Sequence, residues 1–117
     1  MNLKKLIRII VGSTIFLLIL SCKASSVESS LQSSTVEVSM IKFEFVPKEL
    51  TIKSGQSVRW INKEKRQYHS VWFKQKGEAE SDYLFPDDDL VKRFDKPGIY
   101  PYRCGPHPKM IGIIIVQ

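Results

Sequence analysis

The stretch Tyr100-Pro101-Tyr102-Arg103-Cys104-Gly105-Pro106-His107-Pro108-Lys109-Met110 decides the fold of this 117-residue chain. In its first part, Tyr100, Tyr102 and Cys104 occupy alternate positions, which places them on one face of a predicted strand. In its second part, a thiol, an imidazole and a thioether share one short loop, and two prolines restrict the backbone around the histidine. Because the isoleucine-rich run 111–116 follows, the sequence predicts two strands joined by a stiff loop that carries metal-binding groups.

The rest of the chain from Thr35 onward also consists of short alternating or β-branched segments. Turns rich in glycine, proline, asparagine or charge separate these segments, and no window keeps a helical period. The pattern predicts an all-β sandwich or barrel of about seven or eight strands, with a long loop over residues 75–89. The predicted strands are 35–40 with a continuation through Phe45, then 50–53, 57–62, 68–73, 90–94, 100–104 and 111–116.

Four side chains of this domain supply metal-ligand chemistry: His69, Cys104, His107 and Met110. Two histidines, one cysteine and one methionine are the donor set of a blue-copper site, in which a trigonal His₂Cys plane has a weak axial thioether. Taken singly, each residue would more often be a core or turn residue. Together they include the only cysteine and both histidines of the domain, so we predict one copper ion at this site.

Zinc is the competing metal for this donor set, because one cysteine and two histidines with an open fourth position also suit Zn²⁺. The thioether of Met110 favours copper over zinc. A hydrolytic zinc enzyme also needs a general base, and no carboxylate stands in the loop 104–110. The sequence therefore favours a metal protein that is not an enzyme.

Residues 1–21 have the pattern of a lipoprotein-type signal peptide. A basic start is followed by the uncharged stretch Ile9–Leu20, which is too short for a comfortable membrane span. The small residue Ser21 then precedes Cys22, and this order resembles a bacterial lipobox, in which the cysteine becomes the lipidated N-terminus. The alternatives are ordinary cleavage near Ser21, which leaves Cys22 as a plain thiol, and an uncleaved anchor.

Residues 22–34 are predicted to be a flexible linker, because half of residues 23–34 are serine. The folded domain then comprises residues 35–117. With a lipid on Cys22, the domain would be exported and tethered to the periplasmic or cell-surface side of a bacterial membrane. A disulfide between Cys22 and Cys104 is the generic alternative in an exported chain, but it would consume both the lipid site and the thiolate of the loop.

The charge pattern narrows the possible partners. The net charge is +6, and three of the basic residues lie in the predicted signal peptide. The remaining lysines and arginines are scattered through the domain and form no clustered arm, so we exclude nucleic acid as a partner.

Several short segments identify a resemblance to a known family over about residues 35–117. The chain resembles the type 1 copper proteins of the plastocyanin family, and its short spacing from His107 to Met110 is most similar to the amicyanin-like members. The resemblance implies a Greek-key cupredoxin sandwich in which His69, Cys104, His107 and Met110 bind one copper ion. The matching segments are Phe45-Val46-Pro47, Leu50-Thr51-Ile52, Gly55, 58–62, 68–71, 97–100, 102–104, 106–108, Met110 and Gly112 with the isoleucines after it.

One departure from the family pattern concerns Ser70. The family usually has asparagine directly after the first histidine, where its side chain braces the cysteine loop, and serine is shorter. The resemblance also implies that the backbone N–H of Ser70 donates a hydrogen bond to the sulfur of Cys104, which would raise the reduction potential. The alternative for the Ser70 hydroxyl is a simple turn interaction.

The resemblance implies a function in electron transport. Copper would cycle between Cu(II) and Cu(I), and redox proteins would dock weakly on an apolar patch around the exposed edge of His107. We expect a monomeric electron carrier. A copper chaperone or resistance protein with the same fold is the alternative. A fragment of a multicopper oxidase fits less well, because both histidines are used by one site.

Overall fold

The computed structural model of the protein describes residues 34–117. The predicted signal peptide, Cys22 and nearly all of the predicted linker lie outside the described residues. Seven strands and one short 3₁₀-helix, Lys74–Lys76, make up the described part, which confirms the all-β prediction. The strands are β1 Thr35–Ile41, β2 Glu44–Val46, β3 Glu49–Ile52, β4 Ser57–Asn62, β5 Asp89–Arg93, β6 Gly98–Arg103 and β7 Ile111–Val116.

The strands form two sheets with non-consecutive neighbours. The first sheet has the order β2-β1-β4-β5, and the second has the order β3-β7-β6. Strand β1 runs parallel to β4, and β3 runs parallel to β7, whereas the other pairs are antiparallel. This crossing connectivity is that of a Greek-key sandwich, as the resemblance implied. Within residues 34–117, no helix is long and apolar enough to cross a membrane.

An aromatic cluster fills the space between the sheets. Trp60 on β4 is fully buried, and its ring meets those of Tyr102 on β6 and Phe73 at centroid distances of 5.5 and 6.0 Å. Tyr102 lies opposite Gly112 on β7, where an added Cβ would come within 2.4 Å of the tyrosine ring. The absence of a side chain at Gly112 therefore leaves room for the Tyr102 ring in the core. This packing ties the first sheet to the two strands that bracket the loop 104–110.

Two of the predicted strands differ from the structure in kind, and three others are shifted by one or two residues. The run 35–45 is two strands rather than one, because Lys42 and Phe43 form a tight turn with φ values of 53° and 59°. Positive φ at both central residues is typical of the two-residue hairpin turns that suit the twist of the sheet. The predicted strand 68–73 is wrong: this segment makes only isolated bridges, His69 with Leu84 and Trp72 with Arg103. Strands β4 and β7 have the predicted bounds.

Candidate metal centre

The loop between β6 and β7 holds its donors through short-range contacts. Cys104 directly follows β6, and Met110 directly precedes β7. The backbone N–H of Cys104 donates to the Met110 carbonyl at 2.9 Å, and the N–H of Met110 donates to the His107 carbonyl at 2.9 Å. These two bonds close the loop on itself. The sulfur-bearing residues at its two ends are both buried, whereas His107 is half-buried.

His69 reaches the same place from an irregular segment that is held by long-range contacts. Its backbone exchanges two hydrogen bonds with Leu84, at 3.1 and 2.8 Å. The fully buried Asn62, at the end of β4, donates from Nδ2 to the carbonyls of Gln67 at 2.7 Å and Leu84 at 2.9 Å. Asn62 thus joins both sides of the His69 segment to the sandwich. The imidazole of His69 is itself fully buried.

The donor atoms of His69, Cys104 and His107 form a compact triangle. The two Nδ1 atoms are 3.2 Å apart, and the Cys104 sulfur lies 3.7 Å from the Nδ1 of His69 and 3.5 Å from that of His107. A point equidistant from all three atoms lies about 2 Å from each, which is the length of a metal–nitrogen bond and close to that of a metal–sulfur bond. Three donors arranged in this way fit a metal ion in their plane.

Met110 completes the predicted donor set by its position. It is 3% exposed and follows the loop that carries Cys104 and His107. Its backbone contacts place it at the same end of the sandwich as the donor triangle. The axial role of its thioether stays a prediction.

Glu64 is a residue of this centre that the sequence did not reveal. The sequence places it in the charged run 63–66, which reads as an exposed turn, yet its side chain is only 12% exposed. Its Oε1 lies 3.4 Å from Nε2 of His69 and accepts a hydrogen bond from the Phe43 N–H at 2.9 Å. Burial lowers the pKa of His69, and the nearby carboxylate of Glu64 partly offsets that shift. A neutral imidazole keeps Nδ1 available as a metal ligand.

Ser70 contacts the cysteine loop through both its backbone and its side chain. Its N–H donates to the Cys104 sulfur at 3.4 Å, which is the contact that the resemblance implied. Its hydroxyl accepts a hydrogen bond from the Gly105 N–H at 2.8 Å and donates one to Oε1 of Glu80 at 2.7 Å. Ser70 is fully buried, so these contacts fix its hydroxyl beside the loop. Nothing in the sequence pattern indicates that Glu80 takes part.

Aromatic and proline side chains surround the half-buried His107. The ring of Phe43 meets those of His107 and His69 edge to face, at centroid distances of 4.9 and 5.8 Å. Phe43 and the two prolines around His107 line a shallow depression at this end of the sandwich. Beside it, Tyr68 packs against Tyr83 and Phe85 and exposes much of its ring. The metal centre therefore lies close beneath an apolar surface.

A β-sandwich whose two histidines and one cysteine converge at one end defines the class of type 1 copper proteins. Residues 32–117 match the family described as copper binding proteins, plastocyanin/azurin family. The chain therefore belongs to the plastocyanin/azurin family, which confirms the predicted resemblance. The family and the donor chemistry together indicate one type 1 copper ion.

Individual relatives agree with this assignment. Amicyanin-alpha of Methylorubrum extorquens is 35% identical over 89 residues, which cover 73% of this chain and 74% of that protein. Chloroplastic plastocyanin of Tetradesmus obliquus is 32% identical over 113 residues, covering 87% of this chain and 73% of that protein. The crystal structure of amicyanin from Paracoccus versutus matches with a TM-score of 0.66 at 36% identity, covering 73% of this chain and 83% of that one.

Proposed function

We propose that this protein is an electron carrier that shuttles single electrons between larger redox proteins and does not turn over a substrate. His69, Cys104 and His107 would hold copper in their plane, and Met110 would be the weak axial ligand. The observation that carries the proposal is the donor triangle, whose dimensions suit a trigonal metal ion. When bound, the copper ion supplies the one-electron Cu(II)/Cu(I) couple.

The residues around the donors would keep the site geometry the same in both oxidation states. Cys104 and His107 belong to a loop closed by its own backbone hydrogen bonds, and the backbone of His69 pairs with Leu84, whose carbonyl also accepts from Asn62. Ligands held in this way move little when the charge of the metal changes. A small rearrangement favours rapid electron transfer.

The half-buried edge of His107 is the proposed port for electrons. It lies in a depression lined by Phe43, Pro106 and Pro108, which would form an apolar docking patch for an electron donor and an electron acceptor. An apolar patch without a ring of ion pairs suits weak, short-lived encounters. The protein would act as a monomer, since a stable self-contact at this end would block the port.

The location of the protein is a separate part of the proposal. Cys22 would carry lipid after removal of residues 1–21, and residues 22–34 would tether the domain to the periplasmic or cell-surface side of a bacterial membrane. Mass spectrometry of the mature N-terminus from the native cell tests this part. Diacylated Cys22 is the expected result, and an unmodified Cys22 or cleavage elsewhere would refute it.

Spectroscopy of the copper-loaded domain tests the electron-carrier function. We expect an intense visible charge-transfer band, a narrow type 1 copper signal in electron paramagnetic resonance, and reversible voltammetry. A copper chaperone would instead release copper readily to a chelator and would show no reversible couple. That second result would favour a copper-handling role for the same fold.

A further inference from the structure

We propose that Glu80 is a positioning residue for the copper site, acting through Ser70 on the loop that carries Cys104. The inference rests on the proposed function only where it concerns copper. Its structural part concerns the loop itself. Glu80 contacts no proposed copper ligand, and it comes from the long polar segment 75–89, for which the sequence suggested no role.

The hydrogen bonds give the Ser70 hydroxyl a fixed direction. A hydroxyl has one hydrogen to donate and two lone pairs that accept. An ionised carboxylate only accepts, so Oε1 of Glu80 takes the hydroxyl hydrogen at 2.7 Å. The lone pairs of Ser70 then remain for the Gly105 N–H at 2.8 Å. Glu80 thereby keeps the Ser70 hydroxyl oriented so that its oxygen accepts the hydrogen bond from the Gly105 N–H.

The position of Glu80 is set by its neighbour in the chain. Ser81 donates its N–H to the Val71 carbonyl at 3.1 Å, and its hydroxyl accepts from the Val71 N–H at 2.9 Å. Since Val71 follows Ser70, these two bonds align residues 80 and 81 with residues 70 and 71. This backbone pairing thus places the Glu80 carboxylate beside Ser70.

The space around Gly105 supports the same arrangement. A Cβ added to Gly105 would come within 1.6 Å of Oε1 of Glu80 and 2.9 Å of the Ser70 oxygen. The carboxylate therefore occupies the volume directly beside the loop. Ser70 and Glu80 therefore form a continuous polar support against the loop at Gly105.

Hydrogen exchange of the metal-free domain tests the structural part. We expect Glu80→Ala to speed exchange of the Gly105 amide by about tenfold, because a charge-assisted hydrogen bond that orients its acceptor is lost. Glu80→Gln should give a smaller change, since the amide oxygen can still accept. The matched control is Glu78→Ala, which removes a nearby carboxylate that pairs with Lys92 at 2.7 Å and does not contact Ser70. Equal exchange in the Glu80 and Glu78 variants would overturn the proposal.

The copper-loaded domain tests the effect on the site. Glu80→Ala should lower the reduction potential and speed copper loss to a chelator, because a looser loop weakens the Ser70 N–H contact with the Cys104 sulfur. Adding Ser70→Asn to Glu80→Ala should restore both values, since the amide oxygen of asparagine can accept from the Gly105 N–H without a second residue to orient it. An unchanged potential together with unchanged copper loss would refute the role at the metal. If the wild-type domain lacks a type 1 spectrum, the proposed function fails, while the exchange result still decides whether Glu80 positions the loop.

Discussion

The loop 104–110 and the His69 segment bring donors to one metal centre by opposite means. The loop is closed by hydrogen bonds between residues close in sequence, from Cys104 to Met110 and from Met110 to His107. The His69 segment is neither a strand nor a helix, and its backbone pairs with Leu84, which Asn62 also binds. The loop is therefore closed mainly by its own backbone bonds, whereas the position of His69 depends on the completed sandwich.

This difference predicts where substitutions will act. A change of a ligand side chain in the loop should alter the metal and leave the sandwich folded, because the loop is closed mainly by its own backbone bonds. A change in the supports of His69 should reduce the stability of the sandwich and the binding of copper together.

Replacing the thiolate should have the largest effect. Cys104→Ser is expected to abolish the visible charge-transfer band, because the band arises from the sulfur–copper bond. Circular dichroism should show a folded domain, since serine is nearly the same size. An intact band in this variant would exclude Cys104 as the ligand.

Asn62→Ala should destabilise the whole domain by about 3 kcal/mol, because it removes three hydrogen bonds between a fully buried side chain and backbone groups. These groups are the carbonyls of Gln67 and Leu84 and the N–H of Glu64. Urea unfolding of the metal-free domain measures the loss, and copper titration should show weaker binding.

The matched control for Asn62 is Gln67→Ala, which keeps the backbone carbonyl and changes only an exposed side chain. It should stay within about 0.5 kcal/mol of the wild type. If Asn62→Ala lowered the free energy of unfolding as little as Gln67→Ala does, the His69 segment would not depend on Asn62.

Met110→Leu should retain copper and raise the reduction potential by about 59 mV, equivalent to a tenfold change in the Cu(II)/Cu(I) preference. The weak axial thioether stabilises Cu(II) more than Cu(I), so its loss favours the reduced state. Met40→Leu makes the same change in the core of β1 and should leave the potential unchanged. A lower potential for Met110→Leu would argue against an axial role.

The smallest effect concerns pH in the metal-free domain. Burial lowers the pKa of His69 in the folded state, so the unfolded chain binds the proton more readily. Stability should therefore decline as pH falls below about 6.5, the pKa of a free imidazole, and continue to decline until the folded form also takes up the proton. Thermal unfolding between pH 8 and 5 measures this slope.

Glu64→Gln provides the comparison for the pH series. The carboxylate partly offsets the effect of burial on the pKa of His69, so its removal should lower that pKa further and extend the decline to lower pH. If the stability of His69→Gln fell with pH as steeply as that of the wild type, a group other than His69 would cause the pH dependence.

Much of the fold and the donor set followed from local sequence. Strands β4 and β7 have their predicted bounds because their alternation and their flanking turns lie within a few residues. The three donors His69, Cys104 and His107 converge as expected, since a single loop carries two of them. Residue type and short spacing were sufficient for Cys104 and His107, whereas His69 was included because its residue type completes the donor set.

The remaining features depend on contacts between distant residues. The β-branched and aromatic run 68–73 indicated a strand, but its backbone bonds are divided between Leu84 on one side and Arg103 on the other. Glu64 and Glu80 stand in polar segments that are typical of solvated loops. Only the folded chain brings one beside His69 and the other beside Ser70, so sequence alone could not distinguish them from their charged neighbours.

The turn at Lys42 and Phe43 has a consequence for attempts to engineer this protein. Positive φ is unfavourable for side chains such as these, and asparagine followed by glycine would suit the same turn better. Exchanging the pair for Asn-Gly should thus make the domain more heat-resistant. The exchange would also remove the ring that covers both imidazoles and admit water to the histidine edges. Selection for thermostability alone would therefore favour a domain with a less shielded redox centre.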